Sequence, residues 1–295
     1  MNEFKGYHPI VNFIYFIFVI GFSCFFMHPV CLGISLASGF VYSVMLKGKK
    51  AVKTNLLYML PMLVVMALIN PAFNHEGVTV IAYLPSGNPL TAESISYGFC
   101  AAAMIAGVIC HFSCYNEVMT SDKFIYLFGK IIPAMSLIIS MTLRFVPKFA
   151  SQLKVVTNAQ RCMGRDVSKG SVISRAKHGL NILSIMTTWS LENAIETADS
   201  MKSRGYGIPG RTAFSIFTFD KRDKKALVTM LLLGIYTLAG SLAGGMYFSY
   251  FPAMKAAEVS PFGISVFLAY LSLCSYPIII ELWEVRKWKA LRSKM

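Results

Sequence analysis

Six apolar runs dictate what this chain can become: residues 10–27, 30–46, 55–70, 93–113, 226–248 and 262–283. Each is close to the roughly 20 residues that a helix needs to cross the hydrocarbon core of a bilayer. Lipid offers no partners to amide groups, so segments that cross it satisfy their backbone internally, as helices do. Charged residues make up 14% of the sequence, against roughly a quarter in soluble domains. The expected fold class is therefore an all-α polytopic membrane protein with about six transmembrane helices. Pro29 and Pro71 fall at run ends, where breaking a helix is harmless, whereas Pro61 and Pro277 lie inside runs and are expected to kink them.

Between the fourth and fifth runs lies a basic, helix-patterned block, residues 115–222. The organisation expected is a four-helix N-terminal membrane domain (1–114), a central cytoplasmic helical domain (115–222) and a C-terminal membrane hairpin (223–295). A net charge of +14 could suggest nucleic-acid binding. The cations sit between runs of spanning length, however, and nucleic acid is set aside as a partner in favour of the lipid bilayer. With the N-terminus inside, every Lys and Arg except Lys255 falls on the cytoplasmic side, so both termini are expected there, in a prokaryotic cell membrane. Trp283 and Trp288 flank the last run beside its cations, as interfacial anchors do.

The seven cysteines form no CxxC pair, and most lie inside apolar runs, where a thiol behaves as a small hydrophobe. His75 and Glu76 are adjacent and make a poor ligand set, so neither a metal nor another cofactor is expected. The outer loop 71–92 carries Gly and Pro at turn spacing, Leu84 to Pro89 included, which suggests a short hairpin. No Gly-Lys-Ser/Thr loop for cradling phosphates occurs, so ATPase activity is not expected in this chain. No run holds an acidic residue near its centre, which weighs against an ion-coupled carrier. A stand-alone secondary carrier, or a conventional ABC permease with its own substrate path, is the alternative class.

Within the basic block the pattern predicts a short helix at 121–132, a longer one at 134–163 and a third at 178–204. In the third, Ile182, Ile185, Met186, Trp189, Ala194, Ile195, Ala198 and Met201 recur at helical spacing as one apolar stripe. Arg144, where an apolar stretch meets Pro147, is expected to find a local partner, because an unpaired charge there is costly. Both long helices end in a cationic cluster and a glycine: Arg161-Cys162-Met163-Gly164-Arg165 and Lys202-Ser203-Arg204-Gly205. Cations at a helix C-terminus complement its dipole. The functional alternative is that exposed guanidinium groups at stiff helix tips fit acidic pockets on a partner, since the planar fork pairs carboxylates bidentately.

Ser140-Met141-Thr142-Leu143-Arg144-Phe145-Val146-Pro147, Asn158-Ala159-Gln160-Arg161, Ala198 to Gly207, and the loop Asn74 to Tyr97 with Asn88-Pro89-Leu90-Thr91 carry a resemblance over nearly the whole chain. It resembles the transmembrane T component of energy-coupling factor transporters, the vitamin and cobalt/nickel uptake group of the ABC superfamily. The resemblance implies a non-catalytic subunit whose two coupling helices each end in an Ala/Ser-Arg-Gly/Ser triplet. Each triplet's Arg would dock on one of two cytosolic ABC ATPase subunits, and the helices would cradle a small substrate-binding membrane subunit. Ser203-Arg204-Gly205 matches. Cys162-Met163-Gly164 departs, with Met163 where the pattern has Arg, and Arg161 or Arg165 is the candidate replacement. The stripe Ile182, Ile185, Met186, Trp189, Ile195 and Met201 fits contact with the substrate subunit, or packing against the other coupling helix.

Overall fold

The structure is a computed structural model that describes residues 3–83, 89–129, 132–209, 217–258 and 260–292. Residues 84–88, the expected turn of the outer loop, lie outside this set, as do Lys130, Gly210, Arg211 and Lys294. The chain forms two compact units: residues 1–124 with 217–295, and residues 125–216.

Unit 1 opens with a 3-10 turn, Phe4–Gly6, and then α1 (Pro9–Phe25), α2 (Pro29–Lys47) and α3 (Lys49–Phe73). The strands β1 (Val80–Tyr83) and β2 (Pro89–Thr91) pair antiparallel, which makes the outer loop the expected hairpin. Next come α4 (Ala92–Val118) and α5 (Ser121–Gly129), whose first residues close this part of the unit. The chain re-enters unit 1 with α8 (Lys221–Leu242), a second small hairpin of β3 (Phe248–Ser249) and β4 (Lys255–Ala256), then α9 (Pro261–Cys274) and α10 (Tyr276–Arg292). Unit 2 holds the rest of α5, then α6 (Pro133–Cys162) and α7 (Val172–Ser203).

Among the described residues the protein is all-α apart from the two hairpins. Among the described residues four helices, α2, α3 from Ala51, α4 and α8, are long and apolar enough to cross a membrane, or five if the bent pair α9 and α10 is one span. The sixth candidate, α1, has 17 residues, a length of about 26 Å at 1.5 Å per residue. The bend between α9 and α10 is 59°. Pro277 takes the second position of α10, where its missing N–H costs nothing, so the kink expected within the sixth run is a break at Ser275. Pro71, expected at a span end, lies inside α3, which continues to Phe73.

A well-buried aromatic cluster fills the centre of unit 1. Phe4, Tyr15 and Tyr42 are fully buried, and the Phe4 ring meets both tyrosines edge-on. Buried polar groups are mostly matched. The Tyr15 hydroxyl donates to the Cys274 carbonyl at 2.9 Å, and His111 Nε2 lies 3.0 Å from the Ser35 carbonyl oxygen. The N-terminal turn is tied down on two sides. Lys5 pairs with Glu117 at 3.3 Å, Lys123 Nζ donates to the Lys5 carbonyl, and the His8 amide donates to Asp223 at 3.2 Å. Burial, with help from the Lys5 ammonium, pulls the Lys123 amine down to about 8.

α8 and α9 approach closely at Gly240. A Cβ built there would come within 2.4 Å of the Val266 side chain, which is fully buried. Gly240→Ala should therefore destabilise unit 1 by about 1–3 kcal/mol through overpacking. The double variant Gly240→Ala/Val266→Ala should lose less than the sum of the two single changes. Thermal midpoints in mild detergent measure this, and an unchanged midpoint for Gly240→Ala would contradict the packing described.

Candidate functional site: the tips and faces of two long helices

Unit 2 is built on two rods. α6 has 30 residues and α7 has 32, which corresponds to about 45 and 48 Å of helix. α7 begins at Val172, six residues earlier than expected, because the Ser171 hydroxyl accepts from the Ser174 amide at 3.3 Å and caps the first turn. α6 runs through Pro147, whose missing N–H removes one backbone bond without ending the helix.

The rods meet through one knot of side chains. Ile182 and Met186 on α7 are buried against Val156 of α6, with Phe149, Val167 and Trp189 packed around them. Trp189 stacks on Phe145 with centroids 5.7 Å apart. Lys148 bonds Asn193 and lies 5.5 Å over the Trp189 ring. Phe145 and Lys148 meet Trp189 and Asn193, while Val156 meets Ile182 and Met186, so rising numbers on α6 run against falling numbers on α7. The two C-terminal tips consequently project from opposite ends of the knot, by about 9 Å of helix beyond Val156 on α6 and about 15 Å beyond Asn193 on α7.

This placement divides the predicted stripe. Ile182, Met186 and Trp189 pack between the rods, Ile185 stands at the edge (39% exposed), Met201 is half-buried, and Ile195 is exposed. α7 carries a second apolar face that the sequence reading missed: Ile173, Leu180, Leu183, Leu191 and Ile195 are all exposed. Their spacing places Ile173, Leu180, Leu191 and Ile195 opposite Ile182 and Trp189 on the wheel, with Leu183 on the flank between the two faces. The single-stripe reading blended both faces: Ile195 lies six residues after Trp189 and nine after Met186, intervals that carry it to the other side of the helix. Arg144 is exposed, and no ion pair is found for it among the described residues.

Both tips close in the same way. At the first, the Gly164 amide donates to the Arg161 carbonyl at 3.0 Å and the Arg165 amide to the Gln160 carbonyl at 3.0 Å. At the second, the Gly205 amide donates to the Lys202 carbonyl at 2.9 Å and the Tyr206 amide to the Met201 carbonyl at 2.9 Å. Gly164 and Gly205 have φ of +76° and +77°. Each tip is thus a Schellman cap with glycine in the left-handed position that a side chain would strain. Met163 and Arg204 are the corresponding cap residues, with nearly identical φ and ψ of −82°, 10° and −84°, 10°.

The side chains at the tips differ. Arg204 is exposed, and among the described residues it has no carboxylate within ion-pair distance. Ser203 is exposed while its hydroxyl donates to the Asp199 carbonyl at 2.9 Å. Met163 is 60% exposed. Arg161 pairs with Asp166 at 3.1 Å, and Asp166 also accepts from the Ser168 amide and hydroxyl. Those Ser168 bonds, more than the guanidinium, hold the Asp166 carboxyl below the usual carboxylate range. Arg165 is exposed two residues beyond the cap. Among the described residues no group of three or more His, Cys, Asp or Glu could hold a metal ion.

These features define a polytopic α-helical membrane protein carrying a separate two-rod unit. Over about a third of its length the chain is similar to the transmembrane protein of energy-coupling factor transporters, EcfT. It is 40% identical over 99 residues to that of Lactobacillus helveticus, 30% over 108 to that of Lactococcus lactis, and 32% over 112 to that of Bacillus selenitireducens. These stretches cover 33%, 36% and 38% of this chain and 36%, 41% and 42% of the relatives' own length. No family model matches the chain.

If the knot holds the rods together, Met186→Ala should cost about 2–5 kcal/mol locally. Ile195→Ala, on the exposed face, should stay within about 0.5 kcal/mol. Amide exchange across α6 and α7 measures both, and equal loosening by the two changes would contradict the assignment of faces.

Proposed function

We propose that this chain is the coupling subunit of an energy-coupling factor importer. In this reading the 115–222 block lies in the cytoplasm, as do both termini, and unit 1 anchors the rods to the membrane. Two cytosolic ABC ATPases hydrolyse ATP and engage the rod tips, and the chain itself performs no catalysis. A small membrane subunit that binds the cargo, a vitamin or transition-metal ion, lies along the rods.

The observation that carries this reading is Arg204, an exposed guanidinium on the closing residue of a long, well-capped helix. A carboxylate groove on an ATPase suits it through bidentate bonding, and such a charge-assisted contact is worth roughly 1.5–3 kcal/mol. The similarity to EcfT supports the reading independently. The surface assigned to the cargo-binding subunit is the exposed α7 face of Leu180, Leu183, Leu191 and Ile195. An apolar row left uncovered on a helix marks an interaction surface. Ile182, Met186 and Trp189 are assigned to joining the rods.

Arg204→Ala should weaken ATPase capture by roughly tenfold to a hundredfold and abolish ATP-dependent uptake in the assembled complex. Arg204→Lys should restore part of the capture, since an ammonium keeps the charge but loses the planar fork. Co-purification in mild detergent and uptake into cells measure these effects. Unchanged capture and uptake with Arg204→Ala would overturn the assignment.

A further inference from the structure

The short turn Phe4–Gly6 is gripped by polar and charged side chains from separate helices of unit 1. Lys123 of α5 donates to the Lys5 carbonyl. Arg222, at the start of α8, donates to the Gly6 carbonyl at 3.4 Å and lies 4.2 Å over the Tyr7 ring. Glu281 of α10 faces the Glu3 and Phe4 amides. Asp223 accepts from the His8 and Asp220 amides, both at 3.2 Å, so one carboxylate joins the exit of the turn to the first residues of α8. With its amide turned to satisfy both atoms, Asn12 of α1 accepts from Lys123 at 2.7 Å and donates to the Phe4 carbonyl at 3.1 Å. Lys123, Asp223 and Glu281 are 5%, 3% and 6% exposed. Among the described residues no carboxylate lies within ion-pair distance of Lys123. A buried ammonium matched only by neutral oxygens is costly to strand, so Lys123 depends on the turn that supplies them.

These residues stand where the chain leaves unit 1, after Phe124, and soon after it returns, at Phe217. Lys123 is the only buried residue of α5 among those described, so the turn is what holds the start of that helix. α8 is held more firmly, since Ala226 and Met230 are buried along with Asp223. On the coupling reading above, we infer that the turn, through Lys123 and Asp223, is a brace that passes ATP-driven motion of the rods into unit 1. A displacement that arrives along the chain moves a packed helix only where its point of entry is fixed, and a slack entry absorbs it. Lys123 and Asp223 are then positioning residues. Without them ATP is hydrolysed and the membrane helices stay still. The Lys5–Glu117 pair is part-exposed at the edge of this network and contributes little.

The test uses the full chain assembled with the ATPases of its own cell in mild detergent. Amide exchange of α4 and α8 is measured with and without ATP, and ATP turnover is measured on the same complexes. The wild type should show an ATP-dependent change in exchange in both helices. Lys123→Ala and Asp223→Ala should capture the ATPases and turn over ATP as the wild type does, yet lose that change. Asp223→Asn keeps an oxygen for the His8 amide and should retain it, as should Glu117→Gln. Asp223→Ala leaves the other buried residues of α8 in place, so it decides the matter even where Lys123→Ala fails to fold. An ATP-dependent change left intact by Asp223→Ala would overturn the inference, and so would its absence from the wild type. Loss of ATPase capture in step with the exchange change would make the turn a folding element alone and would overturn it too. Failure of the coupling reading shows differently: the wild-type chain would then capture no ATPase.

Discussion

Two long helices behave as one body only if something pins them to each other, and in this protein the pin is a small knot centred on Trp189 and Met186. Its components are modest: one stacked aromatic pair, one buried methionine and isoleucine against Val156, and Lys148 laid over the indole. No other buried cluster is found among the described residues of unit 2. Most of the remaining rod surface is exposed, apolar side chains included. Such a unit is poorly provided with a core of its own. Burial of its second α7 face by a neighbour in the bilayer or at its edge would supply what the knot does not.

Unit 1 solves a different problem. Its helices bury aromatic rings and small polar side chains against one another and leave long apolar rows outside, as suits a protein whose solvent is lipid. The N-terminal turn matters more than its length suggests. Phe4 enters the aromatic centre, while Lys5 and His8 reach the end of α4 and the start of α8. Those helices flank the points where the chain leaves unit 1 for unit 2 and returns. Within unit 1 the N-terminal turn therefore links the aromatic centre to α4 and α8.

Much of this was legible in the sequence because it rests on local chemistry. The end of each rod was readable from glycine after a cationic cluster, since only glycine takes the left-handed turn without strain. The outer hairpin was readable from Gly and Pro spacing. What was not legible depends on neighbours. Ile182 and Ile195 look equivalent in a periodic pattern, yet one is buried and the other exposed. The early start of α7 was hidden because Arg175, Lys177 and Gly179 interrupt the apolar signal while the Ser171 cap alone starts the helix. Pro277 announced a kink in the sixth run, but not that the chain would break at Ser275 into two helices bent by 59°. Arg161 looked as available as Arg165 until Asp166 was seen to hold it.

The central claim is that nucleotide-driven motion of the ATPases moves the rod tips. The most direct measurement is the distance between spin labels at Cys162 and at Ser203→Cys, in the assembled complex, with and without bound ATP. Both positions are exposed at the helix ends. The account predicts a distance distribution between the tips that shifts when ATP binds and returns after hydrolysis. An identical distribution in both nucleotide states, in a complex that still imports its cargo, would contradict it.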